Sequence, residues 1–213
     1  MSINITIELG SGKLDPDFIK NFSKNQNSIY IAVDKSYHSE IKIKDIENEI
    51  TEEYLETQRI FNGRFITCSE DIFKFVEEFP LKVDKIIANR ILEHIHLKDL
   101  MYFLFLLHSL LKPTGELIFM VPDHGFYAKE ILRISDLIKK KENINAVELY
   151  NSLINITTEF CNEASDPHMS IWTEELVKLY LETEGYWRIE KIETKSIFSN
   201  RKYIYVNAKP NQF

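Results

Sequence analysis

Short runs rich in isoleucine and valine alternate along this chain with longer stretches whose apolar residues recur every three or four positions. No other feature constrains the fold so tightly. The short runs read as strands covered on both faces, and the longer stretches as amphipathic helices. Strand and helix taken in turn wind into a largely parallel sheet. Five strands are expected on this pattern: INITIEL at 3–9, SIYIAV at 28–33, RFITC at 64–68, VDKIIA at 83–88 and GELIFMV at 115–121. Two more, WRIEKIET and KYIYVNA, flank KSIFSNR near the C-terminus, about the span of a hairpin loop, so an antiparallel edge pair is expected.

Between the strands, DIFKFVEEF, LKDLMYFLFLLHSLL and TEELVKLYLETEG carry the helical spacing. The last opens on Thr173 with Glu174, Glu175 and Leu176, a loose capping box, and Gly185 is its expected stop. From Phe126 to Pro167 the sequence runs through AKEILRISDLIKKK and AVELYNSLINITTEF, two helical patterns where one short connection would serve. A helical insertion at about 126–167, after the fifth strand, is therefore expected. The expected fold is α/β: a Rossmann-like, seven-stranded, mostly parallel sheet with helices on both faces and an antiparallel last strand. At 213 residues, 44% apolar and 28% charged, the chain suits one soluble domain.

The net charge of -7 argues against a broad electrostatic footprint on nucleic acid. Cys68 and Cys161 stand in no metal-like or redox spacing, so neither a disulfide framework nor a zinc site is suggested. The longest apolar run, residues 100–111, is too short to cross a bilayer and reads as a buried helix. The first residues, MSINITIELG, lack a basic region followed by a long apolar stretch, and a reducing, cytoplasmic setting is expected.

The stretch ITIELGSGKLDP joins the first strand to a turn with two glycines, Gly10 and Gly12. Such a turn offers free backbone N–H groups to a ligand, and glycine supplies the clearance. A dinucleotide fingerprint would need a third glycine where Asp15 stands, and a P-loop would need Ser or Thr after Lys13, where Leu14 stands. Glu8, two residues before Gly10, suits an ammonium or sulfonium group rather than a pyrophosphate. Asp34, at the end of the second strand, can accept hydrogen bonds from both hydroxyls of a ribose. Ribose plus positive charge points to S-adenosylmethionine.

The stretches IELGSGKLD, IYIAVDKS, VDKIIANRILEHI, LLKPTGELIFMVPD and HMSIWTEELVKLYLETEGY resemble, in order and spacing, the class I S-adenosylmethionine-dependent methyltransferases. LEHI followed by LLKPTGELIFMVP looks like the small-molecule subgroup of that family. The resemblance implies a small-molecule acceptor, with Glu8, Gly10, Ser11 and Gly12 lining the methionine end of the cofactor. Asp34 would hold the ribose with Lys35 beside it. Ser69, Glu70 and Asp71 would sit near the adenine, and Asn89 and Arg90 would border the methionine moiety. This sequence departs from the pattern at Leu14, where a third glycine is usual, and at Cys68 or Ser69, where an aspartate is often found.

Asp123 and His124 follow the fifth strand, at the sheet end where open α/β folds bind ligands. His168 resembles a histidine found before the last helix in related methyltransferases. These three are the candidate catalytic residues, a histidine being able to take a proton from a hydroxyl or amine. Glu93 and His94 could form an acid and base pair, or Glu93 could favour a helix N-terminus. His96 reads as a surface residue and His108 as a packed one. Two alternatives stay open. The departures at Leu14 and Cys68/Ser69 suit a binding module that keeps the fold without catalysis. NSIYIAVDKS also resembles tRNA guanine methyltransferases, against which stand the acidic balance and the missing Asp-Pro-Trp signature.

Overall fold

The computed structural model describes residues 3–12, 16–22, 24, 25, 27–36, 43, 46, 50, 63–140, 168–197 and 201–211. Its strands are β1 (Asn4–Leu9), β2 (Ser28–Val33), β3 (Arg64–Cys68), β4 (Val83–Asn89), β5 (Leu111–Pro122), β6 (Trp187–Ile197) and β7 (Arg201–Pro210). They form one sheet in the order β3-β2-β1-β4-β5-β7-β6. Every pair from β3 to β5 is parallel, and β7 is antiparallel to both β5 and β6. Six strands thus share one direction and β7 runs against them. The expected seven-stranded sheet and its antiparallel edge pair are both present, with β7 slotted between β5 and β6.

Two strand ends differ from the sequence reading by three residues or more, and one is that of β6, which runs on to Ile197 rather than Thr194. β5 starts at Leu111 rather than Gly115, and its turn residues survive as an irregularity inside the strand. Val83 pairs with Leu111 and Lys85 with Glu116, so two steps along β4 face five along β5. The surplus residues, around Pro113 and Thr114, bulge out of the ladder. Gly115 sits at this crowded point, where a Cβ would lie 2.8 Å from Leu111 Cδ2 and 3.1 Å from the Asp84 carbonyl oxygen.

Alternate residues of the strands face opposite sides, and both sides are apolar. Ile5, Ile7, Leu9, Ile29, Ile31, Val33, Ile86, Phe119 and Val206 enter the main core, while Tyr30 and Ala32 enter a second cluster. Phe22 of helix α1 (Pro16–Phe22) covers that second face. The main core is closed by α2 (Ile72–Glu78), α3 (Leu97–Leu110) and α5 (Glu174–Glu182), which bury Phe75, Phe103, Leu107, Val177 and Leu181. Helices on both faces follow from strands that are apolar on both faces.

The helix ends obey local chemistry. Asp71 caps α2, accepting from the N–H groups of Phe73 and Lys74, and Thr173 caps α5 through the Leu176 N–H. Gly185 takes a φ of +69° just after α5, as its expected role as a stop requires. His96, exposed as expected, caps α3 through Nδ1. The first helical pattern of the expected insertion forms α4 (His124–Lys140). It starts at His124 because the Asp123 carboxylate accepts from the Phe126 N–H at 3.0 Å. The second pattern, AVELYNSLINITTEF, lies outside the described residues.

A strap, residues 168–173, crosses the C-terminal end of the sheet and leads into α5. Trp172 anchors it. The indole is fully buried, 5.8 Å from the Phe119 ring and 5.2 Å from the Tyr180 ring, and its Nε1–H donates to Ser170 Oγ at 2.9 Å. Removing a buried indole costs about 3–5 kcal/mol, so Trp172→Ala is expected to lose that much in urea unfolding followed by circular dichroism. Trp172→Phe, which keeps a ring and loses the N–H, should lose less. A loss below about 1 kcal/mol in Trp172→Ala would show that the strap is not held by this residue.

Candidate functional site

The connections of the sheet diverge between β1 and β4: β2 and β3 lie on one side of β1, and β5 on the far side of β4. Open α/β sheets bind ligands in the crevice outside the carboxyl ends of the strands at such a point. Gly10 to Gly12 lie at the end of β1, and Asn89, Arg90 and Ile91 at the end of β4. Gly10 and Gly12 both adopt left-handed backbone, with φ of +63° and +57°. Their free space differs. A Cβ on Gly10 would fall 1.8 Å from Ile91 Cδ1, so the clearance expected for a ligand there is taken by Ile91. Among the described residues nothing lies within 4 Å of such an atom on Gly12.

Asp34 organises the end of β2. Its Oδ2 accepts from the Gly12 N–H at 2.9 Å, and its Oδ1 accepts from the Ser36 N–H at 2.8 Å and the Ser36 hydroxyl at 2.7 Å. Burial alone would raise this carboxyl, but the donors from Ser36 and Gly12 outweigh it and hold the group below its ordinary range. Asp34 is thus ionised and fixed across the mouth of the glycine turn. Ser36, which makes two of these bonds, went unread in the sequence; an acid followed two residues later by serine is a local turn signal.

Glu8 lies on the opposite face from Ile7 and Leu9, opposite Ala32 and Ile87 of the neighbouring strands. Its Oε2 accepts from the Tyr30 hydroxyl at 2.5 Å. Tyr30 is itself clamped by Phe18, Phe22 and Phe65, with ring centroids 5.1–5.3 Å away. Burial pushes the Glu8 carboxyl above its ordinary value, and the tyrosine bond offsets only part of that rise.

The rim between β2 and β3 gathers several expected adenine neighbours, most already engaged with each other. Lys35 Nζ is 2.6 Å from Asp71 Oδ2, an exposed pair worth little in stability. Asp71 also caps α2, while Glu70 pairs with Lys74 at 2.8 Å. Ser69 Oγ donates to the Lys35 carbonyl at 3.4 Å. Cys68 is buried and its thiol is pushed up to about 11 by that burial. Ser69 is therefore the residue after β3 that faces the rim, and Cys68 belongs to the core.

At the other side of the crevice Asn89 is exposed, and Arg90 takes a φ of +58°, rare for a residue with a side chain. Its N–H is tied to the Met120 carbonyl at 2.8 Å, and its guanidinium lies 5.8 Å from the centre of the Tyr203 ring. Next comes a 3-10 turn (Leu92–His94), in which Glu93 is wholly buried rather than capping a helix. The strap brings His168 to this turn, its ring centroid 5.0 Å from His94 and 5.7 Å from His124. His108, expected as a packed residue, stands edge-to-face with Trp187 at 5.5 Å, and burial lowers its pKa.

His124, expected as a candidate base, is held by the strap. The residue is 2% exposed, and its Nδ1 accepts from the Trp172 N–H at 3.1 Å. A neutral ring that accepts at Nδ1 carries its proton on Nε2. Asp123, half-buried at the end of β5, keeps a carboxylate at the crevice, while Ser11 lies between the two glycines as expected. Leu14 and Asp15 lie outside the described residues.

No family model matches the sequence, and no curated protein matches it. Solved structures do match its fold. A cyclopropane synthase from Mycobacterium tuberculosis superposes with a TM-score of 0.55 at 11% identity, covering 98% of this chain and 79% of that one. The 1,6-didemethyltoxoflavin-N1-methyltransferase of Burkholderia thailandensis, bound to S-adenosylhomocysteine, gives 0.52 at 12% identity over 99% and 72%. Magnesium protoporphyrin IX methyltransferase from Synechocystis PCC 6803 gives 0.50 at 12% identity over 99% and 75%. The chain has the Rossmann-like fold of the methyltransferases, as the sequence resemblance implied.

Glu8 generates a sign that can be checked. Because its folded pKa is raised, this group favours the fold at low pH, and that contribution is lost as pH rises through the folded value. Near pH 7 the ionised carboxylate therefore weighs against folding. Glu8→Gln keeps an acceptor for Tyr30 and should raise stability at pH 7 by on the order of 1 kcal/mol. The gain should vanish as urea midpoints are taken below the ordinary value of 4.5. A gain that persists at low pH, or a loss at pH 7, would contradict this account.

Proposed function

We propose that this chain is an S-adenosylmethionine-dependent methyltransferase acting on a small or medium-sized acceptor that presents a hydroxyl, an amine or a similar group. The observation that carries the reading is the bond from Gly12 N–H to an ionised Asp34 across the ends of β1 and β2, beside the crevice of the sheet. A fixed carboxylate there can take both hydroxyls of a ribose. Gly12 leaves room for the cofactor, and Ser11 and Gly10 complete the turn. Glu8 supplies negative charge behind it, suited to a sulfonium. Lys35, Ser69, Glu70 and Asp71 would border the adenine, and Asn89 and Arg90 the methionine end.

Methyl transfer from a sulfonium is an in-line displacement that needs alignment and exclusion of water more than a nucleophilic side chain. The cofactor supplies the methyl group; the chain holds both reactants and takes up the acceptor's proton. Asp123 is placed for that proton, and His168 stands nearby. We further propose that the insertion at about 126–167, whose first part is α4, covers the acceptor, with nucleic acid playing no part. Among the described residues no helix is long and apolar enough to cross a membrane. The buried thiol of Cys68 suits the cytoplasmic setting we assign.

One observation favours a second reading, a binding module without catalysis: Ile91 fills the space beside Gly10. Calorimetry and labelling separate the two. The protein is expected to bind S-adenosylmethionine and S-adenosylhomocysteine. Asp34→Ala should weaken both by about 10-fold or more, the worth of hydrogen bonds to a charged group. With labelled cofactor and a fractionated lysate, label should enter the small-molecule fraction. Binding without any methylated product supports the module. No binding by folded protein overturns methyl transfer and leaves the module standing, and label in RNA overturns the acceptor class.

A further inference from the structure

We infer that Glu93, His94 and His168 form a site for a divalent transition metal beside the crevice. Each offers one ligand atom, and these atoms all lie within 4.8 Å of one another. They come from two places in the sequence. Glu93 and His94 belong to the 3-10 turn after β4, and His168 belongs to the strap before α5.

The backbone fixes the two pieces against each other. The N–H groups of Met169 and Ser170 donate to the Glu93 carbonyl at 2.7 and 3.1 Å, and Ser170 Oγ donates to the Leu92 carbonyl at 3.0 Å. Farther along, the His124 N–H donates to the Trp172 carbonyl at 2.9 Å, and the Trp172 N–H returns the bond to His124 Nδ1. His124 therefore shows a donor, not a lone pair, toward its neighbours and stays outside the ligand set. A first ligand pair on a short turn and a third ligand on a strap bonded to that turn is a preorganised arrangement.

Charge decides what suits the cluster. Glu93 is 0% exposed, and an ionised carboxylate out of water costs several kcal/mol unless a cation or donors compensate. Two protonated imidazoles would set two positive charges face to edge against one negative charge. A single divalent ion accepts a lone pair from each ring and neutralises the carboxylate at once. Two imidazoles and one carboxylate is a donor set for zinc, cobalt or ferrous iron rather than calcium or magnesium. Ligand atoms on one tetrahedral zinc stand about 3.3 Å apart, from bond lengths of roughly 2.05 Å.

A ring that gives its lone pair to a metal takes no proton, so this site leaves Asp123 as the base at this end of the sheet. The metal site is read with the metal alone and holds or fails independently of methyl transfer. Chelator-treated protein is expected to bind one zinc ion in calorimetry and to give visible d–d absorption with cobalt. His94→Ala, His168→Ala and Glu93→Gln should each weaken zinc by at least about 10-fold, with circular dichroism unchanged. His96→Ala and His108→Ala should bind as the parent does. Where an alanine variant fails to fold, His168→Gln serves instead. No cobalt absorption in folded parent protein, or zinc affinity unchanged in the folded His168 variant, overturns the site.

Discussion

The pairing of β1 with β4 sets the geometry on which the rest of this molecule depends. With Ile7 opposite Ile86, the turns that follow the two strands emerge side by side, and the sheet's connections part between them. Ile91 packs into the space that Gly10 leaves, so the two turns are locked together by a contact only glycine permits. That lock holds the Leu92–His94 turn against the sheet, and the strap then docks on that turn. The cofactor-type turn and the histidine cluster are therefore two consequences of one strand pairing, lying to either side of the same contact.

Two half-buried carboxylates near this junction are handled by opposite means. Glu8 is left with a single short bond from Tyr30, and its environment disfavours the charge. Asp34, at the end of the neighbouring strand β2, receives three donors and holds its charge. Strain and unfavourable charge concentrated at one end of a sheet are the usual cost of a binding site, because a site shaped for a ligand is not shaped for its own stability. The positive φ of Arg90 belongs to the same account.

The fold was legible in the sequence because periodicity reports burial directly. SIYIAV and RFITC became strands with the expected ends, since both of their faces meet apolar partners. The β5 boundary was less legible: Leu111 pairs with Val83 across a bulge, and a bulge depends on the partner strand, which no local pattern encodes. The turn after β1 was legible because its glycines mark it locally. Ile91 was not, because its role exists only once β1 and β4 are neighbours. The hold on His124 was hidden for a related reason, its Nδ1 being claimed by a backbone N–H 48 residues away.

The histidine cluster marks the limit of reading along the chain. Glu93 and His168 are separated by 75 positions in the sequence, and nothing in either stretch alone names the other. What joins them is backbone: a carbonyl on the turn receiving two N–H groups from the strap. Closing so long a loop carries an entropic cost that grows only slowly with its length, and the buried indole of Trp172 offsets it. The strap therefore does two things through one set of contacts. It completes the core under α5, and it delivers His168 to Glu93. A chain that builds its core with the same residues that assemble its site cannot lose the one without disturbing the other, which ties the position of His168 to the integrity of the fold itself.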